Sequence, residues 1–346
     1  MAVHQPSRRD FLKSSAATAA LSYGAVTIAQ FQFGSPAHAA PTASIERRRF
    51  GKTDMTVGVL GFGGAEIGYN KVPPETVSKL LNSAIDGGLN VIDTAECYLD
   101  SEVLIGNAIG GRRNDYYLFT KCGHAPGAEG WTKTAVLRSI ERSLKRLKTD
   151  VIDLVNLHSC SLDELTKGEC IEGLEQAKKE GKTRYIGYSG DSQAARYAVE
   201  CGRFDALQTS LNLCDQEPIE LTLPIAMDKG MGVICKRPIA NAVWRYDKQP
   251  TNGYHLEYWK RLQKLGYGFA LGEAAKKQDT TGPAATALRF TAMQPSVSVL
   301  IVGTTKPERW KQNAELLSAG PLPKELATSI RARWKEVSQG DWTGQT

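Results

Sequence analysis

The run Val57-Gly58-Val59-Leu60-Gly61-Phe62-Gly63-Gly64 decides the fold. Its apolar start, residues 57–60, reads as a strand, and the glycines behind it as a tight turn. Glycines after a first strand can form the phosphate turn of a doubly wound sheet. That fingerprint is G-x-G-x-x-G opening a helix, with an acidic residue about 20 positions on. Neither follows here. Further along, short strand-like runs recur at 90–92, 117–120, 151–157, 184–188, 206–208, 231–235 and 298–302. Helical patterns separate them at 75–86, 101–109, 132–147, 162–179, 192–201, 218–229 and 283–293, and one follows the last strand at 307–315. Within 132–147, Val136, Leu137, Ile140, Leu144 and Leu147 form an apolar stripe at helical spacing, and Thr132 suits the N-cap. Eight β/α units in about 260 residues fit an α/β fold of the (β/α)8 TIM-barrel kind, and a doubly wound sheet is rejected.

Two stretches lie outside the eight units. Residues 47–55 fit a hairpin closing the bottom of the barrel, with Gly51-Lys52 at its turn. Residues 241–281 form a long insertion after the seventh strand, with a short helix at 254–265, on the side where barrel enzymes do chemistry. Beyond Ser318, Pro321 and Pro323 introduce a further helix at 325–337 and a tail. The expected organisation is a leader over 1–39, a barrel over 46–318 and a C-terminal helix and tail over 319–346.

The leader carries Ser7-Arg8-Arg9-Asp10-Phe11-Leu12-Lys13, which reads as a twin-arginine (Tat) export signal. An alanine-rich stretch and Ala37-His38-Ala39 follow, placing cleavage near Ala39 or Ala40. The competing reading is a disordered or membrane-anchoring tail, and Gly24, Gln30 and Gln32 make the stretch a poor spanning helix. The expected location is periplasmic or otherwise extracytoplasmic, with the Tat machinery as partner and no stable membrane insertion after cleavage. Hydrophobic residues at 41% and charged residues at 23% describe an ordinary globule, and a net charge of +6 is too mild and dispersed for nucleic acid. Seven cysteines match no zinc spacing, no metal is expected, and reduced apolar filling is their expected role. Nothing in the sequence fixes the oligomeric state.

Four polar residues fall at or just past the C-terminal ends of consecutive expected strands: Asp93 and Tyr98 after the second, Lys121 after the third, His158 after the fourth. In a barrel these ends converge on one mouth. A lone strand histidine is more often a core residue, but the four together make a coherent acid set. A lysine beside a tyrosine pulls the phenol pKa down, Asp93 can partner a buried lysine, and His158 can orient a carbonyl.

The stretch Val91-Ile92-Asp93-Thr94-Ala95-Glu96-Cys97-Tyr98, with Ser101-Glu102 and Gly106, resembles the signature of the aldo-keto reductase superfamily. Phe119-Thr120-Lys121 and Asp153-Leu154-Val155-Asn156-Leu157-His158 are similar to its lysine and histidine motifs. Ile186-Gly187-Tyr188-Ser189 and 207–212 resemble segments that hold a nicotinamide carboxamide, and 301–313 the segment gripping the adenosine end. The resemblance implies Tyr98 as general acid, Lys121 and Asp93 as its tuning pair and His158 as carbonyl-orienting donor. It implies cofactor contacts from Ser189, Gln208, Lys236, Gly303, Thr304, Arg309, Gln312 and Asn313. Arg309, matching the partner of the adenosine 2′-phosphate, favours NADP, as NADPH, over NADH. Two positions depart from the pattern: Gly190 stands where the family often has Asn, and Lys236 where many members stack a tyrosine on the nicotinamide. Lys236 is expected to reach the pyrophosphate or a substrate carboxylate, or else to face solvent.

The first expectation is an exported NADPH-dependent oxidoreductase that reduces a small-molecule aldehyde or ketone to an alcohol. The alternative is an exported nucleotide-binding sensor or partner subunit with little turnover. Trp244, Tyr254 and Trp342 are candidates to line the substrate pocket, or else packing residues.

Overall fold

The computed structural model of the chain describes residues 45–124 and 130–345, so the expectations for residues 1–39 lie outside it. The first element is an antiparallel hairpin of β1 (Arg47–Arg49) and β2 (Thr56–Gly58). It is followed by β3 (Leu60–Gly63), β4 (Val91–Asp93), β5 (Tyr117–Cys122), β6 (Ile152–His158), β7 (Thr183–Ser189), β8 (Ala206–Ser210), β9 (Gly232–Lys236) and β10 (Val297–Gly303). These eight strands close a parallel barrel in chain order, with β10 returning to pair with β3.

Period-two alternation sorts the side chains of each strand. Val91, Phe119, Leu154, Ala206, Ile234 and Val299 point inward and pack with Phe50, Met55 and Val57 of the hairpin. Ile92, Leu118, Val155, Leu207 and Leu300 point outward into the larger core shared with the helices. The hairpin therefore plugs the barrel floor. Phe50 is fully buried with its ring 5.4 Å from that of Phe119, and Lys52 N–H donates to Gly230 O at 2.8 Å. Gly51 at the turn takes φ +56°, and a Cβ there would sit 2.4 Å from the backbone nitrogen of Gly232. Only glycine fits.

Two steps up the same inward rows stand Asp93 above Val91, Lys121 above Phe119, Gln208 above Ala206 and Lys236 above Ile234. The polar tier is thus a direct consequence of strand phase.

Three expected elements divide. The run 57–60 splits at Val59 because β2 pairs with β1 whereas β3 turns to β4 and β10. The stretch 162–179 is two helices, Leu162–Lys167 and Glu169–Lys179, parted by Gly168 at φ +85°. The stretch 218–229 breaks at Thr222, since Pro224, in the first turn of the second helix, has no N–H to offer the first. The insertion folds as helix Gly253–Leu265 flanked by 3-10 turns. With helix Lys324–Ser338 it forms a second core containing Trp244, Tyr258, Leu262, Ile330 and Trp334, against which Trp342 packs.

Candidate active site

The centre of the barrel mouth is Lys121. Its ammonium donates to Asp93 Oδ2 at 2.5 Å and to Thr94 O at 2.7 Å, and both charged side chains are only 1% exposed. Burial pushes the Asp93 carboxyl above the usual range, against the pull of Lys121 and then of the Gln208 amide. Lys121 Nζ lies 4.9 Å from the centroid of the Tyr98 ring. The His158 ring meets Tyr98 edge-on, centroids 5.6 Å apart. The fold thus brings Asp93, Tyr98, Lys121 and His158 together.

With Lys121 beside it, the Tyr98 phenol still does not fall below its ordinary pKa. Burial first, then the Asp93 carboxylate, holds the Tyr98 phenol well above its ordinary pKa. His158 is driven the other way, well below the usual histidine value, by burial and then by Lys121 and Lys236. At neutral pH the site therefore presents a protonated phenol and a neutral imidazole.

The turn that carries Tyr98 is braced from several sides. Gly68 packs on the Tyr98 carbonyl so closely that a Cβ would lie 2.0 Å from the oxygen. Ser101 Oγ donates to Gly64 O at 2.8 Å and pairs with Thr94 Oγ1. The Glu96 carboxylate accepts from Ser139 and, at 2.5 Å, from Arg142 Nε, both on the helix Lys133–Leu147 that Thr132 caps. The sequence reading missed Glu96, Ser101 and Arg142 as supports, although the i, i+3 spacing of Ser139 and Arg142 puts both on one helix face.

Of the alternatives for Lys236, the solvent-facing one is not met: its ammonium pairs with Asp191 Oδ2 at 3.0 Å, and the side chain is 13% exposed. Asp191 further accepts from Thr209 Oγ1 at 2.8 Å and from Ser210 N at 2.7 Å. Gly190 has a local cause, since a Cβ there would lie 2.3 Å from the Tyr188 hydroxyl, which donates to Cys160 O at 2.8 Å. The neighbouring Arg237, which sequence reading passed over, donates to Ser210 Oγ at 3.1 Å and to Gln345 O of the C-terminal tail. Tyr254 is 50% exposed under the Arg237 guanidinium, whereas Trp244 is buried and Trp342 half-buried in the second core.

Two buried polar atoms test whether a nicotinamide fits. Ser189 Oγ and Gln208 Oε1 have no hydrogen-bond partner among the described residues. A buried polar atom left bare is costly. A hydroxyl and an amide oxygen match the NH2 and C=O of a carboxamide. Gly303 ends β10, Thr304 follows it, and half-buried Arg309 opens helix Arg309–Ser318, with Gln312 exposed and Asn313 buried. Thr304 Oγ1 accepts from Lys306 N at 3.0 Å, and the Arg309 guanidinium has no ion-pair partner among the described residues. A free guanidinium in the first turn of a helix suits an anion. The residues present fit a nicotinamide dinucleotide.

Residues 59–335 match the aldo/keto reductase family, and residues 5–22 the signal sequence of the twin-arginine translocation pathway. The chain belongs to the aldo/keto reductase family. It is similar to an uncharacterized oxidoreductase, YqkF, of Bacillus subtilis, 29% identical over 306 residues and covering 84% of this chain and 97% of that one. It is 27% identical to L-galactose dehydrogenase of Arabidopsis thaliana, with coverages of 86% and 97%. Among solved structures it resembles an aldo-keto reductase from Bacillus halodurans in its holo form, with a TM-score of 0.71, 26% identity and coverages of 84% and 96%. The chain is therefore an oxidoreductase by family, and that family works with nicotinamide cofactors.

Proposed function

We propose that this aldo/keto reductase is an exported NADPH-dependent enzyme that reduces a small aldehyde or ketone to an alcohol. The observation that carries the reading is Lys121, buried against Asp93 and lying beneath the Tyr98 ring beside a neutral His158. Bound NADPH supplies the hydride. His158 donates a hydrogen bond to the carbonyl oxygen and orients it. As that oxygen becomes an alkoxide, Tyr98 Oη gives it a proton, and the phenolate left behind is met by the Lys121 charge. Asp93 supplies the partner that a buried ammonium needs.

Ser189 and Gln208 are assigned to the carboxamide, and Gly303, Thr304, Arg309, Gln312 and Asn313 to the adenosine end. Lys236, tied to Asp191, supports the nicotinamide side through that ion pair. The leader takes residues 1–39, the barrel 46–318 and the C-terminal helix and tail 319–346. Export through the Tat route, which carries folded passengers, would deliver the barrel already loaded to an extracytoplasmic space.

The test is single-turnover mixing of exported protein with a panel of aldehydes and ketones, followed by nicotinamide absorbance. Wild type should oxidise its NADPH, and Tyr98→Phe should be slower by about 10²–10⁴-fold. Bound NADPH that no carbonyl oxidises, with Tyr98→Phe changing nothing, would make the chain a nucleotide-binding sensor or partner subunit instead. Arg309→Ala should weaken NADPH binding about 10–100-fold while leaving NADH nearly unchanged, from the loss of one charge-assisted pair. Equal losses would remove the NADP assignment.

A further inference from the structure

We propose that Cys97 is a positioning residue: its thiol holds Nδ1 of His158 and so fixes the imidazole with its proton on Nε2. The inference rests on the carbonyl-reducing reading above, and it concerns a residue outside the four polar groups. Cys97 Sγ lies 3.3 Å from His158 Nδ1, and no other hydrogen bond reaches that ring from the described residues. Around the ring stand the edge of Tyr98 and the ring of His124, with centroids at 5.6 and 5.3 Å.

A neutral imidazole has one N–H, and the nitrogen that lacks it is an acceptor. Which nitrogen donates is set by the bond the other one makes. Here burial keeps the imidazole neutral, and burial likewise raises the Cys97 thiol so that it keeps its proton. With the S–H as donor and Nδ1 as acceptor, the proton stays on Nε2. The reverse arrangement, with Nδ1–H donating to sulfur, would turn a bare nitrogen lone pair toward the substrate oxygen.

The thiol is itself placed by the turn that carries Tyr98. Glu96 N donates to Lys121 O at 3.1 Å, Tyr98 N to Ala95 O at 3.1 Å, and the Tyr69 hydroxyl to Cys97 O at 3.3 Å. One peptide bond therefore links the proton donor to the group that sets the tautomer of its neighbour, so the two are positioned as a unit.

The test is nitrogen-15 NMR of histidine-labelled mature protein, in which His124, His158 and His255 remain after residue 39 and a His158→Gln variant assigns the signal. Wild type should show His158 as the Nε2–H form, Cys97→Ala a mixture of tautomers, and Cys97→Ser the wild-type form again. In parallel, kcat/KM for a carbonyl should fall about two- to tenfold in Cys97→Ala and recover in Cys97→Ser, with NADPH affinity unchanged. A wild-type spectrum with the proton on Nδ1, or a Cys97→Ala spectrum identical to wild type, overturns the proposal. If wild type turns over no carbonyl, the functional reading fails while the tautomer spectra still decide this one.

Discussion

A tyrosine normally surrenders its proton near pH 10, but Tyr98 holds on longer because its half-buried ring shares a dry site with the Asp93 carboxylate. Carbonyl reduction should therefore stay flat between about pH 7 and 9, and an alkaline fall with a midpoint below 9 would remove Tyr98 as the acid. Asp215 offers a test of stability instead. It is fully buried, accepts from the Tyr258 hydroxyl and from Gln345 N, both at 3.1 Å, and is raised to about 7 by burial and then by Asp191. Its unfolded value lies near 4. The folded state thus binds a proton that the unfolded chain has already released, so stability is full below about pH 4 and falls as pH rises toward 7. Denaturant melts at pH 5 and 8 should show this loss, and Asp215→Asn should shrink it. At this scale the sequence was partly legible. Asp93, Lys121 and His158 could be placed because strand phase and strand ends are written in short runs. The partner of Lys236 could not, since Asp191 comes from a different strand end, and pairing across the mouth leaves no periodic trace.

Among the elements, period carried most of the information. The helix Lys133–Leu147 shows its apolar stripe and its Thr132 cap directly, the cap accepting from Ala135 N at 3.2 Å. Thr132→Ala should cost about 1 kcal/mol in thermal or denaturant unfolding. What the sequence hid was where runs are cut. Gly168 lies inside a convincing helical pattern, and only its left-handed backbone divides the pattern in two. Val59 sits in an unbroken apolar run, and a change of strand partner divides it. Both are decided by distant neighbours rather than by propensity. The hairpin was legible as a hairpin, but the depth to which it seats Phe50 was not. Phe50→Ala should destabilise the barrel by about 3–5 kcal/mol, since the void opens against Phe119 and Gly232 on a rigid floor. A loss under 1 kcal/mol in a denaturant melt would show that the floor does not depend on the plug.

For the whole molecule, the leader and the barrel make separate demands. Replacing Arg8 and Arg9 by lysine should leave a folded, NADPH-loaded protein in the cytoplasm, which fractionation and nicotinamide absorbance would report together. Unfolded or degraded protein instead would mean that the leader also serves the barrel. The second core shows how far the fold extends beyond eight repeating units. Arg261 stacks 5.2 Å from Trp342 and donates to Thr343 O at 2.9 Å, fastening the tail onto the insertion.

The return of β10 to β3 has a consequence in time. Leu60–Gly63 leaves the ribosome early but has no partner on one edge until Val297–Gly303 has been made. The floor waits as well, because Lys52 needs Gly230. At roughly 5–20 residues per second, that interval is on the order of tens of seconds. Throughout it the leader has been made, but the chain behind it cannot yet close. An export route that accepts only finished passengers would thus have to ignore its own address for most of this protein's synthesis, so that departure is timed by the last strand rather than by the first residues.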